Sequence, residues 1–444
     1  LAGEVGAAEE HEFFGSFFSK KPYFLHFMQT PFDVLALLLV AAACLAYLNT
    51  RILKLPLTVG MLVGAFAGTL LLIGLNGIYP ALAIKPAIRH LLGGVDLPAT
   101  LLNGCLAFLL FAGALQVNSA DMLERKWTIL ALATLGTVLS TGLVAAALLG
   151  LSWLLGLGVP LPWCLVFGAL ISPTDPVSVL DVLKRVGIPR HLQAVVAGES
   201  LFNDGVGVVL FSLTLSLAIA GPGANPGAAQ IAGLFLLQAG GGGLLGFALG
   251  TVAVRMLRGI DDYDVELIIS LALATFTYSL AGRLGVSGPV AVVVAGMLVG
   301  APGATLAMSE LTRAHLMIFW RLVEQVLNAL LFLLIGLEIA AIDLSWRNMA
   351  ATAAMIPAVL LIRFCSVAAS AVPLHLRVAD KSGPLLVLTW GGLRGGLSVA
   401  MALSLPEGPS KAPVLTIAYG IVVFSIVVQG LTLAPVARRL MPGR

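Results

Sequence analysis

Charge is what this sequence is short of. Asp, Glu, Lys and Arg make up 11% of its 444 residues, where soluble globular chains carry about 25%. Apolar runs of about 20 residues recur from end to end instead, and 59% of the chain is hydrophobic. That combination excludes a soluble enzyme or binding domain. The net charge is only +3 with no long basic run outside short loops, which excludes a nucleic-acid partner. Cysteine is scarce: Cys44, Cys105, Cys164 and Cys365 stand singly in apolar runs, with no CxxC spacing. Metal and redox chemistry therefore lose their ligands, and buried small side chains are the expectation. All six histidines (His11, His26, His90, His191, His315 and His375) are expected in loops.

The apolar runs describe an all-α polytopic membrane protein of about thirteen spans. They fall near 32–49, 56–75, 98–116, 127–152, 161–183, 190–219 and 228–256, then 265–282, 286–300, 318–341, 350–371, 384–404 and 412–435. Pro and Gly punctuate the joints, and Gly285 separates two short spans. Residues 1–30 mix charges with Phe and are too polar to span; an interfacial amphipathic segment, or a disordered or loosely docked end, is the expectation. The chain starts at Leu1 rather than Met, as expected of a removed leader or a trimmed start. With the amino terminus outside, the inner loops collect about sixteen of the 25 Lys and Arg residues and the outer side about seven. The carboxyl terminus then lies in the cytoplasm.

If the seventh span connects, two sets of six remain, inverted relative to each other. The fifth span of each set has a broken middle: Pro173-Thr174-Asp175-Pro176 in the first, Gly391-Gly392-Leu393-Arg394-Gly395-Gly396 in the second. Proline removes a backbone donor and clashes one turn back, and clustered glycine eases departure from the helix. Interrupted segments at matching places in inverted halves point to a transporter's midplane site.

Acids gather there. Asp175 lies in the first break, and Glu199, Ser200, Asn203 and Asp204 lie in span six. A carboxylate at the bilayer centre costs at least about 2.5–3.5 kcal/mol on insertion scales, so partners, water or a cation must offset it. At 100° per residue the four span-six residues share an arc of about 140°, with Glu199 and Asp204 at its edges. One edge can face a fixed basic partner while the other faces an ion. Gly198, Gly205 and Gly207 allow close approach of another segment. The oxygen ligands are hard, as a small alkali cation requires. Arg363 in span eleven and Arg394 in the second break supply counter-charge. Glu199 reads as a structural partner of Arg363, and Arg394 as a balance for charge and helix ends. Set against Asp175, Glu199 and Asp204, the two arginines leave about one negative charge over, which a proton or a monovalent cation completes. Competition for one carboxylate is the physical basis of exchange. In span ten, Arg321, Glu324 and Asn328 read as a local cluster with an Arg321–Glu324 pair. Asp181 with Lys184 reads as a solvated pair, and Asp33 and Asp343 as boundary residues.

An intramembrane aspartyl dyad of Asp175 and Asp204 would have to share a proton, which nearby arginine opposes. Ser200 sits in GESLF, which lacks the last glycine of G-x-S-x-G. No enzyme and no cofactor is expected. A gated cation channel is the more distant rival, but strong fixed carboxylates bind an ion rather than pass it.

PTDPVSVL in span five, GESLFNDGVGVVLF in span six, Arg363, and WGGLRGG in span twelve together resemble the monovalent cation:proton antiporters of the sodium/proton exchanger type. The resemblance implies antiport of Na+, with Li+ or K+ as alternatives, against H+. It implies a homodimer in the bacterial inner membrane, with scaffold at 31–120 and 223–345 and a moving ion-binding core at 121–222 and 346–436. Segment 1–30 would be extracytoplasmic and 437–444 a short cytoplasmic tail. Asp204 would be the principal ion and proton carboxylate, with Asp175, Ser200 and the Thr174 carbonyl as further Na+ ligands. Glu199 would pair with Arg363, near Asn203. Asn203-Asp204, in place of two consecutive aspartates, implies electroneutral exchange. LLFAGALQV in span three lacks the acid some relatives place there. The chain stops soon after Arg438-Arg439, so no long regulatory tail is expected.

Overall fold

The computed structural model describes residues 31–78, 104–117, 119–175, 179, 182–183, 186–188, 190–221, 227–301, 308–339, 342, 345–371 and 382–440. The segment 1–30, the Asp181–Lys184 pair and Asp343 lie outside them. The described residues are all-helical, without strands. In chain order the helices are α1 (Pro31–Leu48), α2 (Leu57–Ile78), α3 (Leu106–Gln116), α4 (Ser119–Glu124) and α5 (Lys126–Leu155). Next come α6 (Leu161–Ile171), α7 (Arg190–Ala220), α8 (Ala228–Leu257), α9 (Tyr263–Leu284), α10 (Gly288–Gly300) and α11 (Glu310–Glu338). Last are α12 (Trp346–Ala371), α13 (Ser382–Trp390), α14 (Gly396–Leu403) and α15 (Lys411–Leu440).

Nine helices among the described residues are long and apolar enough to cross a membrane, and α3, α6 and α10 are shorter apolar helices. Apolar residues dominate these helices and occupy exposed as well as buried positions on them, as expected where lipid replaces water. The joints follow local chemistry. Asp262 caps α9, its carboxylate accepting from the Asp264 and Val265 amides at 3.0 and 3.3 Å. Gly285 ends α9 at φ +69°, the left-handed conformation that closes helices, and Ser287 caps α10.

The chain falls into two compact units. One holds α1, α2 and residues 329–342; within it the Asn49 amide donates to the Leu55 carbonyl at 3.0 Å and fixes the turn from α1 to α2. The other holds the remaining helices. In this second unit α6 is buried along most of its length, among α5, α12, α14 and α15. A second core joins α3, α8, α9, α10 and α11 around Trp320, whose ring lies 4.7 Å from that of Phe111.

Helix α6 approaches α5 closely because residue 168 has no side chain: a Cβ there would land on the Thr141 carbonyl. Backbone cannot step aside as a flexible side chain can. Gly168→Leu is therefore expected to cost about 1–3 kcal/mol or more, read as a lower melting temperature of the detergent-purified protein.

Three sequence expectations change. Cys164 is buried, but Cys44 and Cys365 are exposed, because the outer face of a membrane helix is itself apolar and accepts a thiol without burial. His191 and His315 belong to α7 and α11 rather than to loops, and the His315 ring stacks on Tyr263 at 4.9 Å; α11 simply begins earlier than hydropathy suggests. Buried Glu324 takes a hydrogen bond from the Gln116 amide of α3, and Arg321 is exposed. The expected local pair gives way to a tertiary contact.

Candidate functional site

Helix α6 stops at Ile171, and residues 173–175 are non-helical. Helix α13 stops at Trp390, and the chain re-enters helix only at Gly396. The two departures meet: the Asp175 amide donates to the Leu393 carbonyl at 2.7 Å. Each break therefore satisfies part of the other's freed backbone, which a dry interior demands.

Arg394 holds the junction. Buried, it donates from its guanidinium to the carbonyls of Ser172 and Pro173, the latter at 3.0 Å. Those carbonyls close the carboxyl end of α6, where a helix leaves acceptors unsatisfied and carries partial negative charge. Arg394 thus sits where the sequence places it, at a helix end. Its own amide donates to Ser425 Oγ at 2.9 Å, and the Gln429 side-chain amide donates to the Trp390 carbonyl at 3.1 Å. Ser425 and Gln429 flank a π-helical turn within α15. That turn re-aims both side chains at the second break, a use typical of such insertions. Sequence reading misses both residues, because one serine and one glutamine in an apolar span leave no periodic mark.

The centre of α7 brings its polar face to the first break. Asn203, fully buried, donates from Nδ2 to Thr174 Oγ1 at 2.8 Å and accepts from the Thr174 amide at 3.2 Å. Thr174 Oγ1 lies 2.9 Å from Ser200 Oγ. The sequence assigns Thr174 only a carbonyl role; its hydroxyl and amide also lock α7 to the break. Gly207 permits this contact, since a Cβ there would occupy the Pro173 ring. Gly395 plays the same part for Asp175, whose side chain packs where a Cβ of residue 395 would go. Ser172, another residue passed over, donates to the Gly168 carbonyl at 2.7 Å and accepts from Thr141 at 3.2 Å.

The charges separate as the helical arc requires. Glu199, on one edge, meets Arg363 of α12 at 2.5 Å, both deeply buried. The contact is one of charge rather than an aligned hydrogen bond, since Glu199 Oε1 and Arg363 Nε have no hydrogen-bond partner among the described residues. Asp204 occupies the other edge. Among the described residues it enters no ion pair or hydrogen bond, and it keeps 9% of its surface accessible. Asp175, half-buried, is a charged neighbour that acts on it. Thr174, Asp175, Ser200, Asn203 and Asp204 thus converge on one locus, with the Glu199–Arg363 pair on the same stretch of α7 and Arg394 on the carbonyls that precede Thr174. Hydroxyl, carboxylate and carbonyl oxygens are the available donors, suited to a hard monovalent ion. Among the described residues no cluster of three or more His, Cys, Asp or Glu side chains could hold a resident metal. Away from this locus, Glu266 at the start of α9 is fully buried, with no hydrogen-bond partner for either oxygen among the described residues.

Residues 38–439 match the family described as "Sodium/hydrogen exchanger, transmembrane". The chain is 41% identical over 417 residues to the Na(+)/H(+) antiporter NhaP of Pseudomonas aeruginosa, covering 93% of this chain and 97% of that protein. It is 36% identical over 380 residues to the Na(+)/H(+) antiporter NhaH of Halobacillus dabanensis, covering 84% and 91%. Its fold is that of the solved sodium proton antiporter MjNhaP1 from Methanocaldococcus jannaschii, with a TM-score of 0.70 at 20% identity, covering 92% of this chain and 98% of that one.

Proposed function

The chain belongs to the sodium/hydrogen exchanger family, and from that premise we propose that it is an electroneutral secondary antiporter, exchanging Na+, and also Li+, for H+ across a bacterial inner membrane. The observation that carries the proposal is Asp204: a carboxylate with no ion pair or hydrogen bond among the described residues, beside Asp175 and the Thr174–Ser200–Asn203 network.

Charge counting gives the stoichiometry. Arg363 neutralises Glu199. Among the described residues, the remaining charged side chains at the locus are Asp175 and Asp204 against Arg394, one negative charge in excess. In low dielectric that excess must be cancelled. Either one proton or one alkali cation cancels it, and loading one excludes the other. Asp204 takes the proton or the ion; Asp175, Ser200 and the Thr174 carbonyl complete the cation's shell. Asn203 holds Thr174, Glu199 and Arg363 form a fixed pair, and Arg394 keeps the junction closed. Because each loaded form carries the same charge, the membrane voltage does not bias the cycle.

The proposal extends to about thirteen spans in two inverted sets of six, the fifth of each set discontinuous, with the amino terminus outside and the carboxyl terminus in the cytoplasm. Segments 31–120 and 223–345 form the scaffold and homodimer contact. Segments 121–222 and 346–436 form the core, which carries the site between the two sides by an elevator-like motion. The test is reconstituted flux with Na+, Li+ and K+ in turn, with and without a pH gradient. Cation uptake is expected to need the outward proton gradient and to ignore a potential imposed alone. Uptake driven by voltage without a pH gradient refutes electroneutral exchange, and flux indifferent to protons would reveal a channel. A K+ rate above that of Na+ would reassign the cargo.

A further inference from the structure

Beside the site, on the other face of α7, lies a groove of about 360 Å3 that the exchange reading does not use. Leu123, Trp127 and Leu130 form its outer wall, and Met122, Phe202 and Met297 lie among its lining residues. The wall residues come from α4 and the start of α5 and are strongly exposed: 64% for Leu123, 66% for Trp127 and 49% for Leu130. Exposed apolar side chains are ordinary on a membrane helix; this face differs in enclosing a groove with a charge at its edge. Among the described residues its one charged lining residue is Lys126, whose Nζ stands 5.6 Å from the centre of the Trp127 ring. Such a cation–π contact holds the ammonium at the lip instead of letting it swing into water. Arg125 precedes it in the chain.

An apolar slot with a fixed cation and a tryptophan at the end of a membrane-crossing helix has one natural complement. Tryptophan seeks the headgroup level, basic pockets between transmembrane helices take anionic headgroups, and the slot beneath suits hydrocarbon. Methionines at its base suit a flexible chain, since they repack readily. We infer that this groove binds an anionic phospholipid, with its headgroup on Lys126 and an acyl chain against Phe202 and Met297.

The location gives that lipid a consequence. Phe202 immediately precedes Asn203. Met122 and Ile129 press on Gly198, which immediately precedes Glu199; a Cβ at residue 198 would come within 2.7 Å of each. The groove thus backs the stretch of α7 whose opposite face holds the ion locus. Filling it adds packing to that stretch beside its direct contacts with Met122 of α4 and Ile129 of α5.

The test uses the full-length protein in detergent, titrated with phosphatidylglycerol, cardiolipin or phosphatidylcholine and followed by native mass spectrometry and melting temperature. Phosphatidylglycerol and cardiolipin are expected to bind and raise the melting temperature, with phosphatidylcholine weaker. Lys126→Gln, a conservative surface change, should weaken anionic-lipid binding about fivefold and leave phosphatidylcholine unaffected. Leu130→Trp, which narrows the slot, should weaken all three lipids. Equal binding of anionic and zwitterionic lipid, or unchanged binding in Lys126→Gln, overturns the inference. So does a change of oligomeric state in both variants without a change in lipid binding, which would mean that a second copy of the chain covers the groove. Because binding is read without transport, failure here is distinct from failure of the exchange reading.

Discussion

Asp204→Asn reduces cation-coupled proton movement in proteoliposomes to the level of protein-free vesicles while the protein stays folded. That is the largest expected effect on activity. Asparagine matches aspartate in shape, so α7 keeps its contacts with Thr174 and Pro173. What disappears is the ability to alternate between a neutral and a charged form. With asparagine the locus retains Asp175 against Arg394 and is balanced without cargo, so nothing demands a proton or an ion. Stability should hold or rise, because the wild-type carboxylate is buried without an ion pair among the described residues. On insertion scales such a group costs about 2.5–3.5 kcal/mol at the bilayer centre. The measurement is pH-gradient-driven Na+ uptake together with melting temperature. Retained coupled exchange, in protein of normal stability, would remove Asp204 from the role assigned to it.

Glu199→Gln is expected to do the opposite. Glu199 lies five positions away on the same helix, but its carboxylate meets Arg363 at 2.5 Å with both groups buried. Removing one member of a buried pair strands the other charge and costs about 3–5 kcal/mol. Melting temperature and expression should fall steeply, and the double replacement Glu199→Gln with Arg363→Met should recover part of the loss. Recovery is the informative arm, since an ion ligand would not be rescued by deleting a distant arginine. Normal stability with shifted Na+ affinity in the single variant would instead move Glu199 into the ion's own shell. Two acids on one helix thus carry opposite stability signs, and a single melting experiment on both variants separates cargo ligand from counter-charge.

Which features were legible follows from how each is encoded. The described helices begin and end within a few residues of most apolar runs, those of α3, α6, α11 and α13–α14 apart, because length and hydropathy alone decide which segments enter a bilayer. The departures from helix after Ile171 and Trp390 were legible from Pro173 and the glycines at 391, 392, 395 and 396. The Glu199–Arg363 contact was legible because a charge inside an apolar helix demands a counter-charge, and few are available. Contacts between small polar residues far apart in sequence were not. Ser425 and Gln429 reach the second break only because α15 takes a π-helical turn, which composition does not announce. Glu324 turned out to face Gln116, because nearness along the helix is a weaker guide than which neighbour is buried with it. Thr174 offered a carbonyl on paper and a hydroxyl in the fold, since side-chain direction at a broken helix has no period to follow.

The ion pair behind the site also bears on how the protein is made. Arg394 and the Ser172 carbonyl it grips are 222 positions apart, and Glu199 precedes Arg363 by 164. A ribosome delivers α6 and α7 to the translocon long before either arginine exists. During that interval the acids of α7 sit in nascent membrane without their counter-charges, so the early helices need a hydrated or chaperoned holding place until the late ones arrive.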